Sequence, residues 1–220
     1  GDGIGIRVGL RSQILRVRVS PWAPNNKNSM NNLVDYIGVY KNAISKQLCD
    51  NLVSDSENFS WQEFGWTSQE RHKKVTIAEQ TQPQIDTCQT LPPKYKLQIT
   101  PVIEKCVSQY KEKYAPFPLL NDIMGITPIK LNRYNTGLGL TKHIDHIHSI
   151  FDGQRKGIPS FSVVGLLNDD FEGGNFIFWD DYVAPLETGT VIVFPSNFLY
   201  PHQVDKVTKG KRLSLVSWVW

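Results

Sequence analysis

The apolar positions change rhythm along the chain. Ile44, Leu48 and Leu52 recur four residues apart, which predicts an amphipathic helix over residues 45–58 with one buried stripe. A second helical period, Val102, Ile103, Cys106, Val107 and Tyr110, predicts a helix with Thr100 as N-cap and Pro101 in its first turn. Pro116 and Pro118 are expected to end it. Between the two lies WQEFGWTSQERHKKVTIAEQTQPQ, residues 61–84, polar and charged, with a short strand pattern at 75–78. It is too solvated to be core and is expected on the surface.

Beyond Pro128 the apolar runs shorten and become rich in β-branched and aromatic residues, at 129–135, 161–168, 175–179, 190–194 and 212–220. Gly, Asn, Asp and Pro clusters separate them. Strands that follow helices without a repeating βα alternation predict an α+β, mainly β domain. The expected architecture is an antiparallel sandwich or jelly roll buttressed by N-terminal helices.

A chain of 220 residues, 40% of them apolar, can bury one sizeable core and leaves little room for a second. No run of 18 apolar residues and no signal-peptide pattern occurs, so the sequence predicts no membrane partner and a soluble, cytoplasmic protein. Cys49, Cys88 and Cys106 are scattered, without C-x-x-C spacing, and read as ordinary thiols. The net charge of +3 is unevenly spread. Residues 1–29 hold Arg7, Arg11, Arg16, Arg18 and Lys27 against Asp2, or +4, and the rest carries 19 basic and 20 acidic residues, or −1. That balance argues against a nucleic-acid partner. Residues 1–29 are expected to be a vector-derived or disordered leader, and 30–220 a single domain, monomeric by default, with its catalytic core at about 125–220.

Candidate chemistry concentrates in TKHIDHIHSIF, residues 141–151. On a strand, His143 and Asp145 point the same way, whereas His146 and His148 have the opposite parity. A third ligand must then come from His72 or His202, and His202 follows a strand and a turn able to return it to the same sheet face. Two imidazoles and a carboxylate on one side of an ion leave positions open, the arrangement of non-haem Fe(II) oxygenases. Taken alone, H-x-D is a common solvated strand end. Arg212 and Ser214, on one face of the last strand, add a fork for a carboxylate, although Arg212 by itself equally fits a surface salt bridge. A rival assignment takes residues 146–148 as the H-x-H of a cupin, but the glutamate expected a few residues later is replaced by Phe151 and Asp152.

His143-x-Asp145, the distal His202 and Arg212-x-Ser214, with GGNFIFW (173–179) and PLETGTVIVFP (185–195) between them, resemble the 2-oxoglutarate and Fe(II)-dependent dioxygenases. The nearest branch is the prolyl hydroxylases, including the hypoxia-sensing enzymes and small microbial or viral relatives. The resemblance implies a double-stranded β-helix core, Fe(II) at His143, Asp145 and His202, and 2-oxoglutarate and O2 as cosubstrates, with ascorbate as a further cofactor. It assigns Arg212 and Tyr134 to the distal carboxylate of 2-oxoglutarate, with Ser214 beside them. Trp218 matches an aromatic near the iron. Leu166 stands where hypoxia-sensing relatives have a second tyrosine. Ile144, Val164, Phe176 and Phe178 are expected to shield the reaction. The resemblance further implies hydroxylation of proline in a peptide or protein, with release of succinate and CO2. The same mechanism on a free amino acid or other small molecule, or a non-catalytic 2-oxoglutarate sensor, are the alternatives. The stretch 61–84, with Trp66 and Arg71 as substrate-binding residues, is expected to be a mobile lid.

Overall fold

A computed structural model of the chain describes residues 32–64, 85–89, 91–114, 125–145 and 159–220. The expected leader 1–29, the strand pattern at 75–78, and His72, Trp66, Arg71, His146 and His148 lie outside these residues.

The first predicted helix forms as α1 (Lys46–Asp55), continued to Asn58 by a 3-10 turn. The Ser45 hydroxyl accepts from the Leu48 N–H at 3.3 Å and caps it, while Cys49 and Leu52 are buried. The second, α2 (Pro93–Tyr114), starts two turns earlier than expected, so Thr100 is not its N-cap. Tyr95 and Ile99 carry the period of Ile103, Val107 and Tyr110 backward, and Pro93 takes the first position, where an N–H is dispensable. Pro101 is therefore inside the helix, without the N–H that would bond the Leu97 carbonyl. Both residues face water, with Leu97 77% exposed, and solvent can satisfy that carbonyl. Pro101→Ala is expected to stabilise the protein by about 1–3 kcal/mol in urea unfolding, since it restores an interior helical bond.

The strands are β1 (Gly38–Tyr40), β2 (Gln62–Phe64), β3 (Ile85–Cys88), β4 (Lys130–Asn135), β5 (Leu140–His143), β6 (Phe161–Leu166), β7 (Glu172–Gly173), β8 (Phe176–Phe178), β9 (Tyr182–Val183), β10 (Val191–Pro195), β11 (His202–Val204), β12 (Val207–Lys209) and β13 (Lys211–Val219). The major sheet runs β1-β10-β6-β13-β4-β3-β2 and the minor one β5-β11-β8-β9, with every pair antiparallel. The opening of the presumed surface stretch is thus an edge strand: β2 pairs with β3, and Trp61 just before it donates to the Ser56 carbonyl at 2.9 Å.

The major sheet separates two cores. One face packs on the helices: Leu213 and Leu215 of β13 and Val163 of β6 meet Leu52, Ile99, Ile103 and Tyr110. The other face meets the minor sheet: Tyr134, Val164, Ile192 and Phe194 pack with Phe176, Phe178 and Val204. The period of two along β13 sends Arg212, Ser214, Val216 and Trp218 to this second face. The result is the predicted jelly roll with helices on one side, and the candidate residues line the space between its sheets.

Candidate active site

His143 and His202 are direct cross-strand neighbours on β5 and β11, with ring centroids 4.3 Å apart. The His202 ring is buried and stacks on Phe176 at 5.1 Å, which fixes its plane. His143 Nδ1 lies 2.8 Å from the Thr141 carbonyl oxygen, and His202 Nδ1 lies 3.0 Å from that of Tyr200. A carbonyl only accepts, so both Nδ1 atoms carry a proton, which leaves Nε2 as the atom of each ring that could take a metal. These face Asp145, with His143 Nε2 3.5 Å from Oδ1 and His202 Nε2 3.7 Å from Oδ2. One ligand atom from each of the three residues falls within 4.8 Å of the others, a grouping able to hold a metal ion.

Burial alone would raise the Asp145 pKa, but His202, His143 and the Ser162 hydroxyl outweigh it and hold the carboxyl well below the usual range. Burial lowers the His202 pKa, more than Asp145 raises it. The cluster therefore offers an anionic oxygen and a neutral buried imidazole, the protonation states that metal binding requires. Strand parity does not aim Asp145, because β5 stops at His143 and Asp145 lies two residues beyond. Its orientation comes from Ser162 on the opposite sheet, which donates to Oδ2 at 2.6 Å.

Across the same cavity Arg212 stands opposite Tyr134 in the β13–β4 register, its guanidinium carbon 4.9 Å from the centre of the Tyr134 ring. Arg212 is 1% exposed, which rules out a surface salt bridge. Nη1 donates to Ser214 Oγ at 2.9 Å, but Nε and Nη2 have no hydrogen-bond partner among the described residues. Leaving two donors of a buried cation unmatched is costly, and a carboxylate is the complementary group. Burial pushes the Tyr134 pKa up, against the pull of Arg212, and keeps its hydroxyl a proton donor. These groups thus fit the distal carboxylate of 2-oxoglutarate, as the three clustered ligands fit Fe(II).

Val164, Phe176 and Trp218 line the cavity and Phe178 packs against His202 at 5.9 Å, whereas Ile144 is not among the lining residues. Leu166 is opposite Ser214 and lines a second cavity on the far side of Arg212, so no second hydroxyl reaches the guanidinium from there. Ser162, Ser196, Thr87 and Asn132 are not among the residues that sequence pattern singles out. Thr87 and Asn132 line the cavity as a hydrogen-bonded pair (3.2 Å), and Ser162 stands between Phe161 and Val163 in a buried strand. A polar residue at inward parity in an apolar run was the available signal.

Residues 129–220 match the family model of the 2OG-Fe(II) oxygenase superfamily. That match covers less than half of the chain. It is 32% identical over 99 residues to a PKHD-type hydroxylase of Rippkaea orientalis, covering 43% of each chain. It is 34% identical over 97 residues to a PKHD-type hydroxylase of Idiomarina loihiensis, covering 43% of this chain and 42% of that one. The matched region thus spans less than half the length of these relatives. Among solved structures, the fold resembles a viral collagen prolyl hydroxylase from Paramecium Bursaria Chlorella virus-1, in its 2OG complex (TM-score 0.59, 16% identity, 84% of this chain and 94% of that one). It also resembles a prolyl hydroxylase from Trichoplax adhaerens bound to a hypoxia inducible factor oxygen degradation domain peptide fragment (TM-score 0.58, 15% identity, 84% and 83%). No helix of the described residues is long and apolar enough to cross a membrane.

Proposed function

We propose that the protein is a 2-oxoglutarate- and Fe(II)-dependent dioxygenase that hydroxylates proline in a peptide or protein. The observation that carries this reading is Arg212: a buried guanidinium with two unmatched donors, in one cavity with His143, Asp145 and His202. When bound, the iron with 2-oxoglutarate and O2 supplies the oxidation, in which 2-oxoglutarate becomes succinate and CO2 and one oxygen atom enters a substrate C–H bond.

The chain's own residues bind, orient and exclude water. His143, Asp145 and His202 would hold the metal, at the edge of the cavity they line. Arg212, Ser214 and Tyr134 fix the distal carboxylate and so set the distance of the cosubstrate's reactive end from the metal. Val164 and Phe176 keep the region between them dry. Trp218 offers an aromatic wall to the substrate, and its ring lies 5.4 Å from the Lys130 ammonium. Ascorbate is expected to sustain turnover by keeping the iron reduced.

The peptide fragment in the complex of the Trichoplax prolyl hydroxylase supports a peptide substrate here. The free thiols of the buried Cys49 and Cys106 support a reducing, cytoplasmic setting. The test is succinate release measured against a library of proline-containing peptides and a panel of free amino acids. The proposal expects succinate and hydroxyproline in equal amounts with a subset of the peptides. Turnover with free amino acids alone would transfer the mechanism to a small-molecule substrate, and 2-oxoglutarate binding without succinate from any substrate would leave only a sensor.

A further inference from the structure

Asp145 is the one member of the metal-binding cluster that no strand holds. His143 and His202 are paired in the ladder of the minor sheet, whereas the chain leaves β5 before Asp145. Ser162, by contrast, lies on β6 inside the major sheet, bonded on one side to β10, where Phe194 is its partner, and on the other to β13, where Trp218 is. Its hydroxyl donates to Asp145 Oδ2 at 2.6 Å and lies 2.7 Å from the hydroxyl of Ser196. Both serines are 1% exposed.

The direction of this chain of hydrogen bonds follows from counting protons. An ionised carboxylate only accepts, so the single hydroxyl proton of Ser162 is committed to Asp145. Ser196 must then donate to Ser162. The Ser196 backbone is itself fixed, its N–H bonded to the Ser160 carbonyl at 3.2 Å. Donation from Ser196 polarises the Ser162 hydroxyl and strengthens its bond to the carboxylate. With Oδ2 occupied in this way, Oδ1 is the oxygen left nearest His143 Nε2.

We propose that Ser162, oriented by Ser196, is a positioning residue for the metal site, clamping the Asp145 carboxylate from the opposite sheet so that Oδ1 is kept toward His143 and Oδ2 toward His202. The inference rests on the assignment of His143, Asp145 and His202 as metal ligands. It concerns affinity for the ion, and therefore has a readout that does not depend on turnover.

The experiment is titration of the metal-free full chain with Mn(II) under anaerobic conditions, alongside thermal melting of the metal-free protein. Partners of metal ligands typically contribute about 10–100-fold to metal affinity, and Ser162→Ala is expected to lose that much with little change in apo melting. Ser162→Thr keeps the hydroxyl and is expected to recover most of the affinity. Ser196→Ala leaves Ser162 its bond to Asp145 but removes its orienting donor, and should lose several-fold. Wild-type affinity in a folded Ser162→Ala protein would overturn the proposal. Should that variant fail to fold, Ser196→Ala decides: a several-fold loss supports the clamp and wild-type affinity overturns it. Asp145→Ala separates this outcome from failure of the ligand assignment. If it abolishes Mn(II) binding while Ser162→Ala does not, the clamp alone is wrong, and if it binds Mn(II) like wild type, the ligand assignment falls and the clamp with it.

Discussion

Arg212→Ala is expected to weaken 2-oxoglutarate binding by more than a hundredfold. The guanidinium is buried at 1% exposure, donates to Ser214, and has Nε and Nη2 without partners among the described residues. Removing it leaves a cosubstrate carboxylate in the same dry end of the cavity without a counter-charge, a loss on the order of 3 kcal/mol. Arg212→Lys should recover only part of this. An ammonium keeps the charge but cannot present two parallel donors, nor lie on the Tyr134 ring as the planar group does at 4.9 Å. Calorimetric titration of 2-oxoglutarate into each variant reads the effect directly. Unchanged affinity in the alanine variant would place the carboxylate elsewhere, with Lys209 and Lys211 as the next candidates.

Alanine at His143, Asp145 or His202 is expected to remove bound iron and reduce succinate formation below detection. Each supplies one atom of a compact cluster, and the remaining pair would hold the ion too weakly to survive purification. His146→Ala and His148→Ala are expected to retain much of both, because His143, Asp145 and His202 already form a metal-binding group among the described residues. Metal analysis of the purified variants checks this. Loss of iron in the His148 variant together with retention in His143→Ala would contradict the assignment.

Much of this site is legible in the sequence because it follows strand parity. The alternation in RLSLVSW already places Arg212, Ser214 and Trp218 on one face and Leu213 and Leu215 on the other, and the two cores of the molecule divide at those positions. Parity names a face but not a partner. That Arg212 meets Tyr134, and His143 meets His202, depends on registers between strands distant in sequence, which the resemblance supplied and periodicity could not. Pro101 signals a helix start in the sequence, yet α2 begins at Pro93, because packing of Tyr95 and Ile99 into the core outweighs the local cost of proline. Strand parity does not orient Asp145, which lies beyond β5. The bond that orients it comes from Ser162, a residue whose chemistry is invisible until the two sheets are set face to face.

On the proposed function, one molecule of 2-oxoglutarate is held at both ends in a single cavity, by Arg212 and by a metal on His143, Asp145 and His202. Anaerobic calorimetric titration of 2-oxoglutarate, with and without Mn(II), into wild type, Arg212→Ala and His202→Ala tests it. Tight one-to-one binding is expected only in metal-loaded wild type. Weak binding is expected in the metal-free protein, no gain from added metal in His202→Ala, and a metal-dependent but much weaker site in Arg212→Ala. Affinity for 2-oxoglutarate that ignores both the metal and the loss of His202 would contradict it.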